Sequence, residues 1–185
     1  MNHITKINNI NQLFEEAKKY AIENNIKSIV IFAKGIENVI NLNNMLKDTG
    51  IKLFVTTFPS NQVLYLENEE GELEESYPEI LIPENINVLE KEGISLISST
   101  LPLEPIITPG IKDNPYSIIN MTLNLFSEGT SLAVQSALMP VDNGYIAPST
   151  RVLSLTSNLA VDLETTNSRF LFHPEKGLKI NHIIK

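Results

Sequence analysis

The sequence predicts an α/β domain on a largely parallel sheet, and three observations carry that reading. Ser28-Ile29-Val30-Ile31-Phe32-Ala33 is an apolar run that stops at Lys34-Gly35 and turns amphipathic from Ile36 onward. Such a run reads as a strand buried on both faces that feeds a helix. A second β-branched run, Ile51 to Thr57, follows at the distance of one helix, and two strands so joined imply a right-handed βαβ unit. A third strand-like run, Ile94 to Ser98, follows another helical pattern, which extends the order to βαβαβ.

Each element has a local reason. Leu13, Phe14, Ala17, Tyr20 and Ala21 recur at helical spacing, with Glu15 and Lys19 as an i,i+4 pair, so a helix is expected over about Asn9 to Asn24. The second helix carries Ile36, Val39, Ile40 and Leu46 and stops near Gly50. Phe58-Pro59 ends the second strand, and the polar stretch to about Tyr77 reads as a solvated excursion or lid. Pro83 suits the first turn of a third helix, with Ile86 and Leu89 inward and Gly93 closing it. Ser99 to Asn114 is irregular, spaced by Pro102, Pro105, Pro109 and Gly110, and Asn114-Pro115 then starts a helix carrying Ile118, Ile119, Leu125 and Phe126.

After Gly129, Thr130 to Met139 is apolar on most sides and reads as a helix, with Pro140 marking a kink or early stop. Three β-like stretches finish the chain: Arg151 to Thr156, Leu159 to Thr165 and Leu178 to Ile184. Asp162 alternates with Val161 and Leu163 and is expected to face solvent. The whole chain, 1–185, reads as a single domain.

Composition excludes several function classes. The net charge is −8, part of it in the block from Glu67 to Glu75, and Arg151 and Arg169 are the only arginines. Phosphate neutralisation needs clustered cations, so no nucleic-acid partner is expected. There is no cysteine, hence no disulfide or thiol nucleophile. No stretch approaches the roughly 18 apolar residues of a membrane span, and Met1 to Lys6 has no apolar leader, so the expected location is cytoplasmic. His3, His173 and His182 show no metal-ligand spacing, and no GxSxG elbow is present.

The second half resembles a known family. Ala133-Val134-Gln135-Ser136-Ala137-Leu138-Met139-Pro140-Val141-Asp142-Asn143-Gly144-Tyr145-Ile146 is similar to an "AVEIAxMAADAGxI" segment. Phe126-Ser127-Glu128-Gly129 is similar to "FGQG", Arg151-Val152-Leu153-Ser154 to "EVIAVGG" and Ala160-Val161-Asp162-Leu163 to "GADTA". His173-Pro174 falls near an "RPA" motif, and Leu178 to Ile184 resembles a terminal "IKEII" strand. These segments belong to the pyruvate kinase C-terminal domain-like family, stand-alone α/β proteins built like the regulatory domain of pyruvate kinase. The resemblance implies a three-layer α/β/α sandwich on a mostly parallel, mixed sheet. It implies a phosphorylated ligand (a nucleotide, flavin mononucleotide, FMN, or a sugar phosphate) at the strand C-termini. It leaves room for a homodimer and implies no pyruvate kinase activity, because the catalytic barrel is missing. Relatives place a Ser/Thr-rich turn where this chain has Phe32-Ala33-Lys34, and a double glycine where it has Leu155-Thr156-Ser157-Asn158.

The candidate ligand-binding residues follow from strand ends. Lys34 and Gly35 could meet a phosphate with an ammonium and the first helical N–H groups, or form an ordinary tight turn. Thr56 and Thr57 close the second strand, and Ser98, Ser99 and Thr100 end the third, at the edge where open α/β sheets collect ligands. Asp142 and Asn143 could hold a ligand hydroxyl or supply turn chemistry beside Gly144. No catalytic or metal residue is assigned. Three functions remain open: a non-catalytic or regulatory binder of a phosphorylated small molecule, an enzyme using Lys34 and a carboxylate, or a structural and oligomerisation domain with a decayed site.

Overall fold

The computed structural model describes residues 7, 9–67, 71–104 and 114–185. Its elements in chain order are α1 (Ile10–Glu23), β1 (Ser28–Phe32), α2 (Glu37–Leu46), β2 (Lys52–Thr57), β3 (Leu64–Glu67), β4 (Leu73–Ser76), α3 (Pro83–Lys91) and β5 (Ser95–Ser98). They continue with α4 (Pro115–Asn124), α5 (Thr130–Asp142), β6 (Arg151–Leu155), β7 (Ala160–Glu164) and β8 (Lys179–Ile184). Asn9 caps α1 by accepting from the Gln12 N–H at 2.9 Å, and Asn114 caps α4 by accepting from Tyr116 at 3.0 Å.

Six strands form one sheet in the order β5-β2-β1-β6-β7-β8. The β1–β2, β1–β6 and β2–β5 pairs are parallel, and β7 and β8 close one side in antiparallel fashion. Helices cover both faces, which makes an α/β sandwich. On one face Leu13, Phe14 and Ala17 of α1, Val39 and Leu42 of α2 and Leu89 of α3 share a core with Ile29, Ile31, Leu53, Val55, Leu153 and Leu155. On the other, Ala133, Val134, Ala137 and Leu138 of α5 pack with Val30, Phe32, Phe54, Val152 and Val161. This two-sided burial is why the central strands are apolar without alternation. No described helix is long and apolar enough to cross a membrane.

Three expectations are corrected. The acidic excursion contains a hairpin: β3 and β4 pair antiparallel, Tyr65 opposite Glu75, as a separate two-stranded sheet. Asn68, Glu69 and Glu70 of that block lie outside the described residues, as do His3, Pro105, Pro109 and Gly110. Of the two readings of Pro140, the early stop is overturned: α5 runs on to Asp142 with the proline inside it. The third correction concerns Asp162, which does face away from Val161 and Leu163 but is fully buried, because Tyr20 of α1, Arg151 of β6 and Asn181 of β8 close over it.

Asp162 is held by four groups. Arg151 donates to it through Nε (2.9 Å) and Nη2 (2.6 Å), the Tyr20 hydroxyl at 3.0 Å and Asn181 Nδ2 at 3.3 Å. His182 stacks on Tyr20 with ring centroids 5.4 Å apart. The cluster ties α1, β6, β7 and β8 together. Burial pushes the Asp162 carboxyl up, but the bonds from Arg151, Asn181 and Tyr20 outweigh it and hold it below the ordinary range. Burial first, then the neighbouring carboxylate, raises the Tyr20 phenol, so it stays a donor.

The partners are unequal, because the Arg151 side chain is 40% exposed and the Asp162 side chain is not. Arg151→Met strands a buried carboxylate and should cost about 3 kcal/mol, whereas Asp162→Asn releases a cation that water can reach and should cost about half of that. Urea unfolding of both variants checks the order. A depressed carboxyl pKa stabilises the fold above the ordinary aspartate value of about 3.9 and loses that contribution as pH falls through the folded value. The stability gap between the native protein and Asp162→Asn should therefore be widest above about pH 4 and shrink below it.

Candidate functional site

The strand order places a reversal between β1 and β6. From β1 the chain steps to β2 and then β5, and α5 carries it back so that β6 pairs with the other side of β1. The crossover helices α2 and α5 lie on opposite faces. The loops leaving β1 and β6 therefore diverge and open a crevice at the strand C-termini, where open α/β sheets bind ligands. A cavity of about 670 Å³ occupies this position, lined by residues 33–38 after β1, Thr156 and Ser157 after β6, and Phe58, Glu79 and Leu132 around them. Its size falls within the range of about 300–1,000 Å³ usual for small-molecule sites.

Local bonds fix its floor. Ala33 N–H donates to the Thr56 carbonyl at 3.0 Å, and Ile80 N–H donates to the Lys34 carbonyl at 2.8 Å, which pins the β1–α2 turn to the segment before α3. A Cβ on Gly35 would stand 3.3 Å from Glu79 Oε2, so glycine lets the turn and that carboxylate approach. No side chain caps α2, and the first N–H groups of an uncapped helix carry partial positive charge with no intrahelical acceptor. The Lys34 ammonium lies 5.7 Å from the Phe58 ring centroid, and Phe58 meets Phe32 edge-to-face at 4.9 Å. Glu37 and Glu79 also line the cavity. The cleft thus offers N–H donors, one ammonium, two carboxylates and an aromatic wall.

The candidates from sequence are dispersed. Lys34 and Gly35 line the cleft. Thr56 points into the α5 face, its Oγ1 2.6 Å from Ser136 Oγ. Thr57 is buried as well, and its Oγ1 has no partner among the described residues. Ser98 Oγ donates to the Phe58 carbonyl at 2.8 Å, Ser99 N–H reaches the Thr57 carbonyl at 3.4 Å, and Thr100 is exposed beside them. These three share the sheet edge but do not line the cleft. Asp142 and Asn143 lie at the opposite pole, where Asp142 Oδ1 accepts from Ser168 N–H at 2.9 Å and Asn143 Nδ2 donates to the Met139 carbonyl at 2.8 Å. Their role there is turn and helix-end chemistry.

Glu37, Glu79, Thr156 and Ser157 were not among the candidates from sequence. Thr156 and Ser157 follow β6 as Lys34 and Gly35 follow β1; they stand where the resembled family has its double glycine, and the β1–β6 pairing brings them beside the β1 turn. Thr156 Oγ1 is buried without a partner among the described residues. It lies 3.2 Å from where a Cβ on Gly129 would stand, and Gly129 has φ +90° at the start of α5. Among the described residues, no three His, Asp or Glu side chains gather into a metal-binding group.

Thr56→Val should lower stability by about 1–2 kcal/mol by stranding the Ser136 hydroxyl, and should leave ligand affinity at the cleft unchanged. Paired urea-unfolding and ligand titrations check this, and weakened binding at unchanged stability would return Thr56 to the site. The chain matches no protein-family model and no curated protein, so a functional reading rests on the cleft itself.

Proposed function

We propose that the protein is a non-catalytic or regulatory binder of a phosphorylated small molecule, acting in the cytoplasm, on a fold of the pyruvate kinase C-terminal domain-like type. The observation that carries this reading is the cleft at the β1–β6 reversal, where Lys34 and the uncapped start of α2 come together. Glu37 and Glu79 narrow the ligand class. Two carboxylates repel a bare polyanion but accept hydrogen bonds from hydroxyls, which favours a sugar phosphate, nucleotide or FMN over inorganic phosphate. A second reading, an enzyme using Lys34 and a carboxylate, is favoured by the presence of both groups in one cleft.

A thermal-shift panel of inorganic phosphate, sugar phosphates, nucleotides and FMN tests the proposal. A ligand at 100 times its Kd adds about 2.7 kcal/mol, which for this chain length raises Tm by roughly 5–10 °C. Lys34→Ala should reduce the shift of the best ligand. Affinity unchanged by that substitution, or no shift with any phosphorylated compound, would overturn the reading. Conversion of the bound ligand, followed by NMR and lost in Lys34→Ala, would select the enzyme instead.

A further inference from the structure

Helix α4 is anomalous. None of its residues is buried, yet from Asn114 to Ser127 the chain holds no charged residue. Its inner face is satisfied: Leu123 packs on the α5-side core, Asn120 Nδ2 donates to the Leu103 carbonyl at 3.4 Å, and Asn124 Oδ1 accepts from Ser131 N–H at 3.0 Å. The outer face carries Ile118, Met121 and Leu125, spaced by three and four residues, with Phe126 just beyond. These four are 64%, 64%, 85% and 61% exposed. Side chains of this size carry about 150–200 Å² each, so the stripe presents roughly 500 Å² of apolar surface, at the upper end of the largest patches on monomers.

We infer that this stripe is the contact face of a symmetric homodimer, with α4 packed against α4 of a second copy. Two arguments select a second copy. A two-fold axis lays one surface on itself, and on a chain of net charge −8 self-docking avoids like-charge repulsion only through a face without charge. Such a face also gives a charged partner nothing to pair with. The area agrees: roughly 500 Å² of apolar core plus a polar rim approaches the 800 Å² or so per partner of a stable interface. Lys185, whose Nζ donates to the Phe126 carbonyl at 3.3 Å, belongs to that rim. The three-four spacing suits helix-on-helix packing along a single seam.

Sedimentation velocity from micromolar to submillimolar protein tests the inference. The native chain should dimerise, and Met121→Glu or Leu125→Gln should weaken the dimer by about 30-fold or more with unchanged far-UV circular dichroism. Ile22→Gln, at an exposed apolar position on α1, should leave the dimer intact. Residue 121 lies mid-stripe, where a two-fold axis sets it beside its own copy. Met121→Glu and Met121→Lys chains, each monomeric, should therefore recover a dimer when mixed. A dimer that survives these substitutions overturns the inference, as does failure of the mixed chains to associate. A native chain that stays monomeric overturns it too, leaving a different protein as the cover.

Discussion

Helix α5 is enclosed by the sheet on one side and α4 on the other, and all of its residues except Leu132 and Asp142 are buried. An element without a solvent face must meet its polar requirements inside the protein, and the sheet supplies them. Ser154 Oγ donates to the Ala133 carbonyl at 2.7 Å, Thr165 Oγ1 to the Ala137 carbonyl at 2.6 Å, and Thr56 meets Ser136. Gln135 accepts from Leu103 N–H at 2.8 Å. The three hydroxyl contacts come from β2, β6 and the end of β7, and the fourth from the loop after β5, so they fix the height of α5 along the strands. That height sets Gly129 beside Thr156 and Leu132 against the cleft, and it secures the return of the chain to the free side of β1. The candidate site is thus a by-product of how one apolar helix is held.

The Asp162 cluster and the α5 hydroxyls divide the work between the two faces. On the α5 face Thr56, Ser154 and Thr165 meet neutral partners, bonds individually worth about 1 kcal/mol. On the α1 face a single buried charge is matched by four donated hydrogen bonds. The second arrangement is more sensitive to loss of one member, because the charge that remains cannot be left dry. It also sits where parallel pairing gives way to antiparallel, so it locks the sense of the outer strands.

Much of the fold was legible because the central strands are buried on both faces, and an apolar run bounded by Lys34-Gly35 or by Phe58-Pro59 has few other readings. The hairpin was hidden by its composition: glutamates outnumber apolar residues between Leu64 and Ser76, and Tyr65 and Leu73 are exposed. At the site, Lys34 and Gly35 were readable because they are local to one βα turn. Thr56 and Asp162 misled for one shared reason. In a sheet covered on both sides, polarity at a strand position reports a partner in the helix layer, Ser136 for the one and Tyr20 for the other, as readily as an opening to solvent. Asp142 and Asn143 could have been set apart on topology alone, since a crossover helix between parallel strands runs back and ends at the pole opposite the strand C-termini. Glu79 and Thr156 needed the tertiary neighbourhood.

The β1–β6 pairing also bears on how the chain is made. Ile29, Val30 and Ile31 pair with Leu153, Ser154 and Leu155, more than a hundred residues downstream. At ribosomal rates of about 5–20 residues per second, that edge of β1 waits several seconds or longer for its neighbour. During that wait the nascent chain exposes an apolar strand edge in the middle of its future sheet, a template for pairing with other chains. Only β6 can cover that edge, and the same pairing brings Thr156 and Ser157 to the cleft, so protection of the strand edge and completion of the cleft depend on one contact.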